Sequence, residues 1–328
     1  MMSLDEFLAE WHNDSEFVHV QTSGSTGSPK PMMIEKRRML ASARITCDFL
    51  GLRPDDSALL CMSLDYIAGK MMVVRSLERQ LRLVTVAPSG HPLSHLSPHS
   101  SHFSPLVFAA MVPLQVYNSL QVPEECERLR EIRHLIIGGG AIDEAMAAQL
   151  KTFPHAVWST YGMTETLSHI ALRRLSGPEA SDWYTPFPSV NLSLSVDGCL
   201  IIEAPEVCEE RLVTNDIAVL SPEGRFRILG RKDNMICSGG IKIQAEELER
   251  QLRPHLSAPF MITKRSDEKF GEVVVLLTEG DISDARNVCE HILPKFHHPR
   301  IYLHVAQIPL TATGKPARKT AETIAKLS

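Results

Sequence analysis

The stretch Thr22-Ser23-Gly24-Ser25-Thr26-Gly27-Ser28-Pro29-Lys30 follows closely on the apolar run of residues 18–20. Glycines and small side chains let backbone N–H groups approach an anion, the hydroxyls add hydrogen-bond donors, and Lys30 brings a mobile positive charge. The stretch is not a Walker A loop, because its two glycines are three residues apart and Pro29 precedes the lysine. A loop of this composition close behind a strand predicts a site for a triphosphate.

The chain around this loop alternates between short apolar runs and helical patterns. The runs cover residues 17–20, 83–86, 106–111 and 135–137, and the helical patterns cover residues 37–49 and 143–150. Strands separated by helices predict an α/β fold with mostly parallel sheets flanked by helices. From about Trp183, short alternating strands with turn signals predict a small antiparallel β subdomain.

A charged turn, Gly230-Arg231-Lys232-Asp233, precedes a new run of helix and strand patterns. We therefore expect a large N-terminal domain over residues 1–230 and a small α+β C-terminal domain over residues 231–328.

Composition limits the classes of partner. The chain has 328 residues and a formal net charge of -5, without the basic excess of a nucleic-acid surface. Its seven cysteines form no CxxC pair, which suits a reducing cytosol, and no stretch approaches the ~20 apolar residues of a membrane span. We expect a cytoplasmic enzyme with small-molecule partners.

Four further strings occur in order along the chain. They are Ile137-Gly138-Gly139-Gly140, Tyr161-Gly162-Met163-Thr164-Glu165-Thr166, Thr214-Asn215-Asp216 and the segment from Gly230 to Ile243; a last string, Pro309-Leu310-Thr311-Ala312-Thr313-Gly314-Lys315, lies near the C-terminus. Each alone would be read as a surface turn. Together with the first loop, over residues 21–318, they resemble the adenylate-forming superfamily of acyl-CoA synthetases, luciferases and peptide-synthetase adenylation domains.

The resemblance implies ATP, Mg²⁺ and coenzyme A as ligands of an AMP-forming acid-thiol ligase. It implies that the phosphates are bound by residues 22–27 and Lys30, that the Mg²⁺ is held by Glu165, and that the remaining ATP-binding residues are Gly138, Gly139, Gly140, Tyr161, Gly162, Thr164, Asp216 and Arg231. An aromatic ring can stack on adenine, and a carboxylate is a hard oxygen ligand that suits Mg²⁺.

The resemblance also implies roles near the C-terminus. Lys315 would be the adenylation lysine, and Asp233 the hinge about which the mobile C-terminal domain turns between two half-reactions. The residues that would then meet coenzyme A are Ser238, Gly239, Gly240 and Lys242.

The acid is indicated by residues 63–75. There Gly69 is followed six residues later by Arg75, as in o-succinylbenzoate:CoA ligases, so the resemblance implies that Tyr66, Gly69 and Arg75 bind the carboxylic acid. An arginine in an apolar run is costly to bury without an anion, and the second carboxylate of succinylbenzoate would supply one. The alternatives are a salt bridge from Arg75 to a protein carboxylate, or a solvated helix end.

Other functions stay open at the level of sequence. They are a ligase for another aryl or acyl acid, an adenylation domain that loads a carrier protein, and a nucleotide-binding regulatory protein. Only 21 residues precede the first loop, far fewer than in most relatives, so we expect that an N-terminal subdomain is missing. Its absence would either expose a sheet surface that a homodimer partner covers or reflect a compact lineage of the same enzyme, and we favour the second.

Overall fold

The fold comes from a computed structural model, which describes residues 2–21, 31–94, 96, 106–140, 142, 144–311 and 316–328. The predicted phosphate loop, residues 22–30, and the predicted adenylation lysine, Lys315, lie outside the described residues.

Helices and strands alternate through most of the chain. The helices are α1 (Leu4–His12), α2 (Lys36–Leu50), α3 (Ile67–Arg79), α4 (Pro113–Gln121), α5 (Pro123–Glu131), α6 (Glu144–Lys151), α7 (Ala245–Leu252), α8 (Ile282–Ile292) and α9 (Arg318–Leu327). The strands are β1 (Phe17–Gln21), β2 (Pro31–Glu35), β3 (Ser57–Leu60), β4 (Arg82–Thr85), β5 (Phe108–Met111), β6 (His134–Ile137), β7 (Ala156–Gly162), β8 (His169–Arg174), β9 (Thr185–Pro186), β10 (Asn191–Leu194), β11 (Cys199–Glu203), β12 (Leu212–Leu220), β13 (Phe226–Arg231), β14 (Met235–Ser238), β15 (Ile241–Gln244), β16 (Phe260–Asp267), β17 (Gly271–Thr278) and β18 (Ile301–His304).

A seven-stranded sheet in the order β4-β3-β5-β6-β7-β8-β9 carries the larger core. The five strands from β4 to β7 along this order pair in parallel, and β8 and β9 add antiparallel strands at one edge. Strands β3 and β5 are buried at every position, as expected for parallel strands with both faces covered. The predicted α/β class with a mostly parallel sheet is confirmed.

The first predicted strand pairs differently from the others. Strand β1 forms an antiparallel two-stranded sheet with β2, in the register Val18 to Ile34 and Val20 to Met32. The first predicted strand therefore does not belong to the parallel sheet, and residues 22–30 stand in the sequence between two strands that pair with each other.

The remaining strands form smaller sheets. One has the order β10-β11-β12-β13, with connections too short for a parallel crossover, and the other has the order β15-β14-β17-β16 with β18 beside β17. Helix α7 covers the second sheet with its apolar face, on which Ala245, Leu248 and Leu252 recur at helical spacing. The predicted small antiparallel subdomain corresponds to the first of these sheets, whereas the second is mixed, because β18 pairs with β17 in parallel.

The structure divides into two compact units. The first contains Met1–Leu192, Ile202–Leu212 and Ser221–Phe226, and the second contains Ser193–Ile201, Val213–Leu220 and Arg227–Ser328. The functional boundary between residues 230 and 231 stays a prediction. No described helix combines the length and the apolar character that a membrane span requires.

Candidate active site

In the first unit, predicted ATP-binding residues follow two neighbouring parallel strands. Gly138-Gly139-Gly140 follows β6, and Tyr161 lies at the end of β7; these strands pair in register from His134 with Ala156 to Ile137 with Ser159. The carboxyl ends of parallel strands meet at one edge of a sheet, which is where ligands bind in open α/β folds. The structure therefore brings the glycine turn and the tyrosine together.

Close packing and backbone conformation explain why two positions of this turn are glycine. A Cβ atom at Gly138 would lie 2.4 Å from the hydroxyl oxygen of Thr160 on the neighbouring strand, and Gly139 has a φ of +80°. Only glycine adopts such a left-handed angle at little cost. The turn thus keeps its backbone close to β7.

Tyr161 is half-buried in an aromatic cluster. Its ring centroid lies 5.0 Å from that of Phe226 and 5.9 Å from that of Tyr184, whose hydroxyl is 2.9 Å from the hydroxyl of Ser159. Edge-to-face contacts of this kind fix the orientation of a ring. Tyr161 is therefore held in one orientation rather than mobile at the surface.

The chain then reverses direction in a tight turn. A 3-10 helix, Thr164–Thr166, is capped by hydrogen bonds of the Thr166 hydroxyl: it accepts from the backbone N–H of Met163 at 3.1 Å and lies 2.8 Å from the carbonyl oxygen of Ser168. Leu167 has a φ of +65°, which is rare for a residue other than glycine. Strained backbone of this kind is concentrated at functional sites.

Glu165 lies on this turn with its side chain exposed, and it forms no ion pair with any described residue. No group of three or more His, Cys, Asp or Glu residues that could hold a metal ion occurs within the described ranges. A single unpaired carboxylate fits Mg²⁺ that is bound mainly through substrate phosphates and water, and it does not fit a cation enclosed by protein ligands.

Arg75 is the largest fully buried side chain of the described part of the chain, with 2% of its surface exposed. Its Nη2 donates a hydrogen bond of 2.7 Å to the hydroxyl of Ser168, its Nε has no hydrogen-bond partner, and it forms no salt bridge with any described carboxylate. Burial lowers the pKa of Arg75 to about 10, so the guanidinium still carries its charge at neutral pH. Among the described residues, neither alternative from the sequence, a protein salt bridge or a solvated helix end, applies.

His169, the first residue of β8, lies beside this arginine and is buried. Its Nδ1 is 3.2 Å from the Ser168 hydroxyl, and its Nε2 is 3.2 Å from the hydroxyl of Thr46 on α2. Burial and the charge of Arg75 lower the pKa of His169 well below its ordinary value. Neither Ser168 nor His169 belongs to a predicted site motif, although they lie two and three residues after the end of the Thr-Glu motif.

The other predicted acid-binding residues surround the start of α3. Tyr66 is the residue before the helix and is about half exposed. A Cβ atom at Gly69 would lie 2.3 Å from the carbonyl oxygen of Ser63, so glycine is required here by backbone packing. Whether Gly69 also contacts the acid stays a prediction.

The second unit contains the predicted ribose and hinge residues. The Nη1 of Arg231 is 3.3 Å from a carboxylate oxygen of Asp216, and its Nη2 donates to Asp233 at 2.9 Å. The Asp216 backbone N–H donates to the hydroxyl of Thr214, which itself donates to the Leu200 carbonyl at 2.8 Å. One arginine therefore joins the predicted ribose ligand to the predicted hinge.

The predicted coenzyme A segment is a β-hairpin. Ser238 pairs with Ile241 at its end, and the two turn residues, Gly239 and Gly240, have φ angles of +58° and +86°. Left-handed angles at both central positions define the turn that matches the twist of a hairpin. Lys242 is exposed on its second strand.

Hydrogen bonds and a β-bridge fix the residues on both sides of residues 312–315. The Ala317 backbone N–H donates to the Pro309 carbonyl at 2.9 Å, and Leu310 bridges to Pro316. Arg318 binds both oxygens of the Glu249 carboxylate at 2.7 Å. Although burial opposes its charge, the Glu249 hydrogen bonds raise the pKa of Arg318.

Residues 8–199, more than half of the chain, match the model of the AMP-binding enzyme family. The chain belongs to this family of AMP-binding enzymes, and the prediction of an adenylate-forming enzyme is confirmed.

Individual members of the family are similar to this chain over most of its length. A 2-succinylbenzoate–CoA ligase from Bacillus cereus (strain AH820) is 24% identical over 92% of this chain and 68% of its own length. The crystal structure of an acyl-CoA synthetase (AMP-forming)/AMP-acid ligase II-like protein from Dyadobacter fermentans is 30% identical, with a TM-score of 0.66 over 98% of this chain and 93% of that one. The o-succinylbenzoate CoA synthetase of Bacillus subtilis, in complex with its acyl-adenylate intermediate, shares the fold with a TM-score of 0.76 at 23% identity, over 92% of this chain and 68% of that one.

Proposed function

We propose that this chain is an ATP-dependent acid:coenzyme A ligase whose acid carries a second carboxylate, with 2-succinylbenzoate as its substrate. The observation that carries the proposal is Arg75, a buried guanidinium with one hydrogen bond and no described carboxylate partner. A charge so far from water is costly unless an anion compensates it. The names of the Bacillus relatives supply the candidate acid, because succinylbenzoate has two carboxylates and adenylation consumes only one.

In the first half-reaction the acid would be adenylated. An oxygen of the acid attacks the α-phosphorus of ATP, the bond to the bridging oxygen breaks, and pyrophosphate leaves. Lys315 would stabilise the negative charge that develops there, while the N–H groups and hydroxyls of residues 22–27 would bind the phosphates together with Lys30. Glu165 would hold a Mg²⁺ ion, which supplies positive charge to the phosphate oxygens when bound.

Further residues would orient the nucleotide. Tyr161 and the turn at Gly138–Gly140 would hold adenine, and Asp216 would accept hydrogen bonds from the ribose hydroxyls, next to Arg231. In this proposal Gly162 and Thr164 shape the phosphate side of the same site.

In the second half-reaction, the coenzyme A thiolate attacks the acyl carbon and AMP leaves. The hairpin of Ser238, Gly239 and Gly240, with Lys242 beside it, would admit the narrow pantetheine arm after rotation at Asp233. A carrier-protein arm has the same thiol chemistry and is an outcome of the test below. The homodimer and the cytoplasmic location stay predictions.

The test is a product assay with ATP, Mg²⁺ and coenzyme A. Succinylbenzoate is compared with two analogues that each lack one carboxylate, 4-oxo-4-phenylbutanoate and 2-butanoylbenzoate. We expect succinylbenzoyl-CoA as the main product, and we expect Arg75→Lys to raise KM for succinylbenzoate more than for the accepted monocarboxylate, because lysine cannot form a bidentate pair. Equal effects on both acids would contradict the role of Arg75, and AMP release without thioester would indicate a carrier-protein acceptor.

A second variant separates an enzyme from a regulatory nucleotide-binding protein. Lys315→Ala should lower the adenylation rate by roughly 10²- to 10³-fold, as the loss of one transition-state donor typically does, with little effect on ATP affinity. Lys319→Ala, on the exposed face of α9, is the matched control. Unchanged turnover in Lys315→Ala would remove this lysine from the mechanism.

A further inference from the structure

We propose that His169 is a positioning residue which, through Ser168, orients Arg75 toward the anionic group of the acid. This inference rests on the proposed function and deepens it. Its basis is an unbroken series of hydrogen bonds from Arg75 to Ser168, His169, Thr46 and the carbonyl oxygen of Ser42, with distances of 2.7, 3.2, 3.2 and 3.0 Å.

Hydrogen-bond chemistry gives this series one direction. A guanidinium has donors only, so the Ser168 oxygen must accept from Arg75 and its own proton is free for Nδ1 of His169. At the other end, the Thr46 hydroxyl donates to the Ser42 carbonyl, so its oxygen must accept from Nε2 of His169. His169 is therefore neutral, with its proton on Nε2.

The opposite tautomer would lose a bond. With the proton on Nδ1, Nε2 would need the only proton of Thr46, and the buried carbonyl of Ser42 would lose that donor. A protonated imidazole would place a second positive charge next to Arg75, which the lowered pKa of His169 opposes. The neutral Nε2–H form is the one that satisfies all four bonds.

Burial strengthens the hydrogen bonds of this series. Thr46 is fully buried, Arg75 is 2% exposed and His169 is 7% exposed, so water competes little for these groups. In such surroundings hydrogen bonds are strong and polarise one another. The series holds one N–H of Nη2 on Ser168 and leaves the unpartnered Nε–H, together with the remaining guanidinium N–H groups, as donors for a carboxylate.

The backbone explains why Ser168 can reach the arginine. Gly162 pairs with His169 across a register shift between β7 and β8, and a side chain at Gly162 would collide with Ser168. The positive φ of Leu167 then turns the chain into β8. The turn that carries Glu165, the proposed Mg²⁺ ligand, therefore also carries Ser168, the hydrogen-bond partner of Arg75.

Two variants and one control test the proposal kinetically. Ser168→Ala and His169→Leu should each raise KM for the diacid at least tenfold while changing KM for ATP and for the accepted monocarboxylate less than twofold. His169→Gln, which retains a donor and an acceptor in one planar group, should restore most of the loss. The control is His134→Leu. His134 is half-buried at the start of β6, away from the glycine turn that follows this strand, and its replacement should leave the ratio of KM for the diacid to KM for the monocarboxylate unchanged.

A parallel loss for both acids, or a loss explained by unfolding in thermal denaturation, would assign His169 a structural role and overturn the proposal. A spectroscopic measurement on the ligand-free protein is independent of the substrate. The side-chain ¹⁵N shifts of His169 should show a protonated Nε2 and an unprotonated Nδ1 at pH 7, and Ser168→Ala should shift the Arg75 guanidinium resonances.

A protonated Nδ1 would overturn the inference even if the enzyme accepts succinylbenzoate. A wild-type enzyme without preference for a diacid would instead overturn the proposed function, while the tautomer of His169 could still be as inferred.

Discussion

A Cβ atom at Gly162 would lie 2.2 Å from the carbonyl oxygen of Ser168 and 2.5 Å from the Cα of His169. The obstacles are backbone atoms, which cannot rotate away as a side chain could. Glycine at this position is therefore a condition for the turn that carries both Glu165 and Ser168.

The first prediction is that Gly162→Ala lowers the free energy of unfolding by about 1–3 kcal/mol, because the backbone must shift to make room. A displacement of about 1 Å at this turn should also lower the rate of adenylation by roughly 100-fold. Urea denaturation and an adenylation assay measure the two effects.

The control is Gly177→Ala, a glycine with a φ of +72° and open space around it. It should lose some stability from backbone strain but keep its activity. Equal activity in both variants would show that the close approach at Gly162 has no consequence for the site.

Arg75 supports a second prediction, on stability. Replacing a buried ion pair by apolar residues of similar volume is often neutral or stabilising, by about 1–4 kcal/mol, and a buried charge without a partner has no pair energy to lose. We expect Arg75→Met to keep or raise the melting temperature in the absence of ligand, while KM for the diacid rises.

The matched control for this variant is Arg318→Met. Arg318 is paired with Glu249, and its loss would strand a buried carboxylate at a cost on the order of 2 kcal/mol or more. Differential scanning calorimetry of both variants makes the comparison. A similar fall in melting temperature for both would mean that Arg75 supports the fold rather than the ligand.

Much of this architecture could be predicted from the sequence, because its signals are local. Alternating apolar runs located three of the five parallel strands, β4, β5 and β6, and the helical patterns located α2 and α6. Motif order predicted the family. The pairing of β1 with β2 could not be predicted from such local signals. A hairpin is recognised in a sequence by a short turn, and these two strands are separated by the predicted phosphate loop instead.

The surroundings of Arg75 depend on contacts far apart in the chain. Ser168 lies 93 positions from Arg75, and Thr46 lies 123 positions from His169. The sequence could indicate that a buried arginine needs an anion. It could not indicate that Arg75 forms no ion pair with any described carboxylate of the protein. The positive φ of Leu167 could not be predicted from the sequence either, because leucine rarely adopts such an angle.

The third prediction concerns pH and His169. Unfolding exposes this side chain, and its pKa returns to about 6.5. Between the lowered pKa of the folded state and 6.5, the unfolded chain binds more protons, so the free energy of unfolding decreases as the pH falls, by at most about 1.4 kcal/mol per pH unit from this group. Above pH 6.5 this contribution is constant.

Urea denaturation at several pH values between 5 and 8 measures the effect. His169→Leu should flatten the dependence below pH 6.5, whereas His12→Gln, a replacement of an exposed histidine in the first unit, should keep the wild-type dependence. A wild-type slope in His169→Leu would show that His169 is not buried as a neutral group.

The fourth prediction separates backbone strain from a role in the second half-reaction. Gly240 and Gly224 are both exposed turn glycines, with φ angles of +86° and +79° and no atom within 4 Å of the position that a Cβ would occupy. Alanine at either position meets only the cost of a left-handed backbone, about 1 kcal/mol. The two substitutions should therefore lower stability equally.

Only Gly240 lies in the hairpin that is predicted to admit coenzyme A. We expect Gly240→Ala to raise KM for coenzyme A and to slow thioester formation severalfold, with ATP–pyrophosphate exchange unchanged, because an added methyl group narrows the approach to the backbone. Gly224→Ala should change neither half-reaction. If Gly240→Ala behaves like Gly224→Ala in both assays, the hairpin has no part in thiol transfer and the pantetheine arm must enter elsewhere.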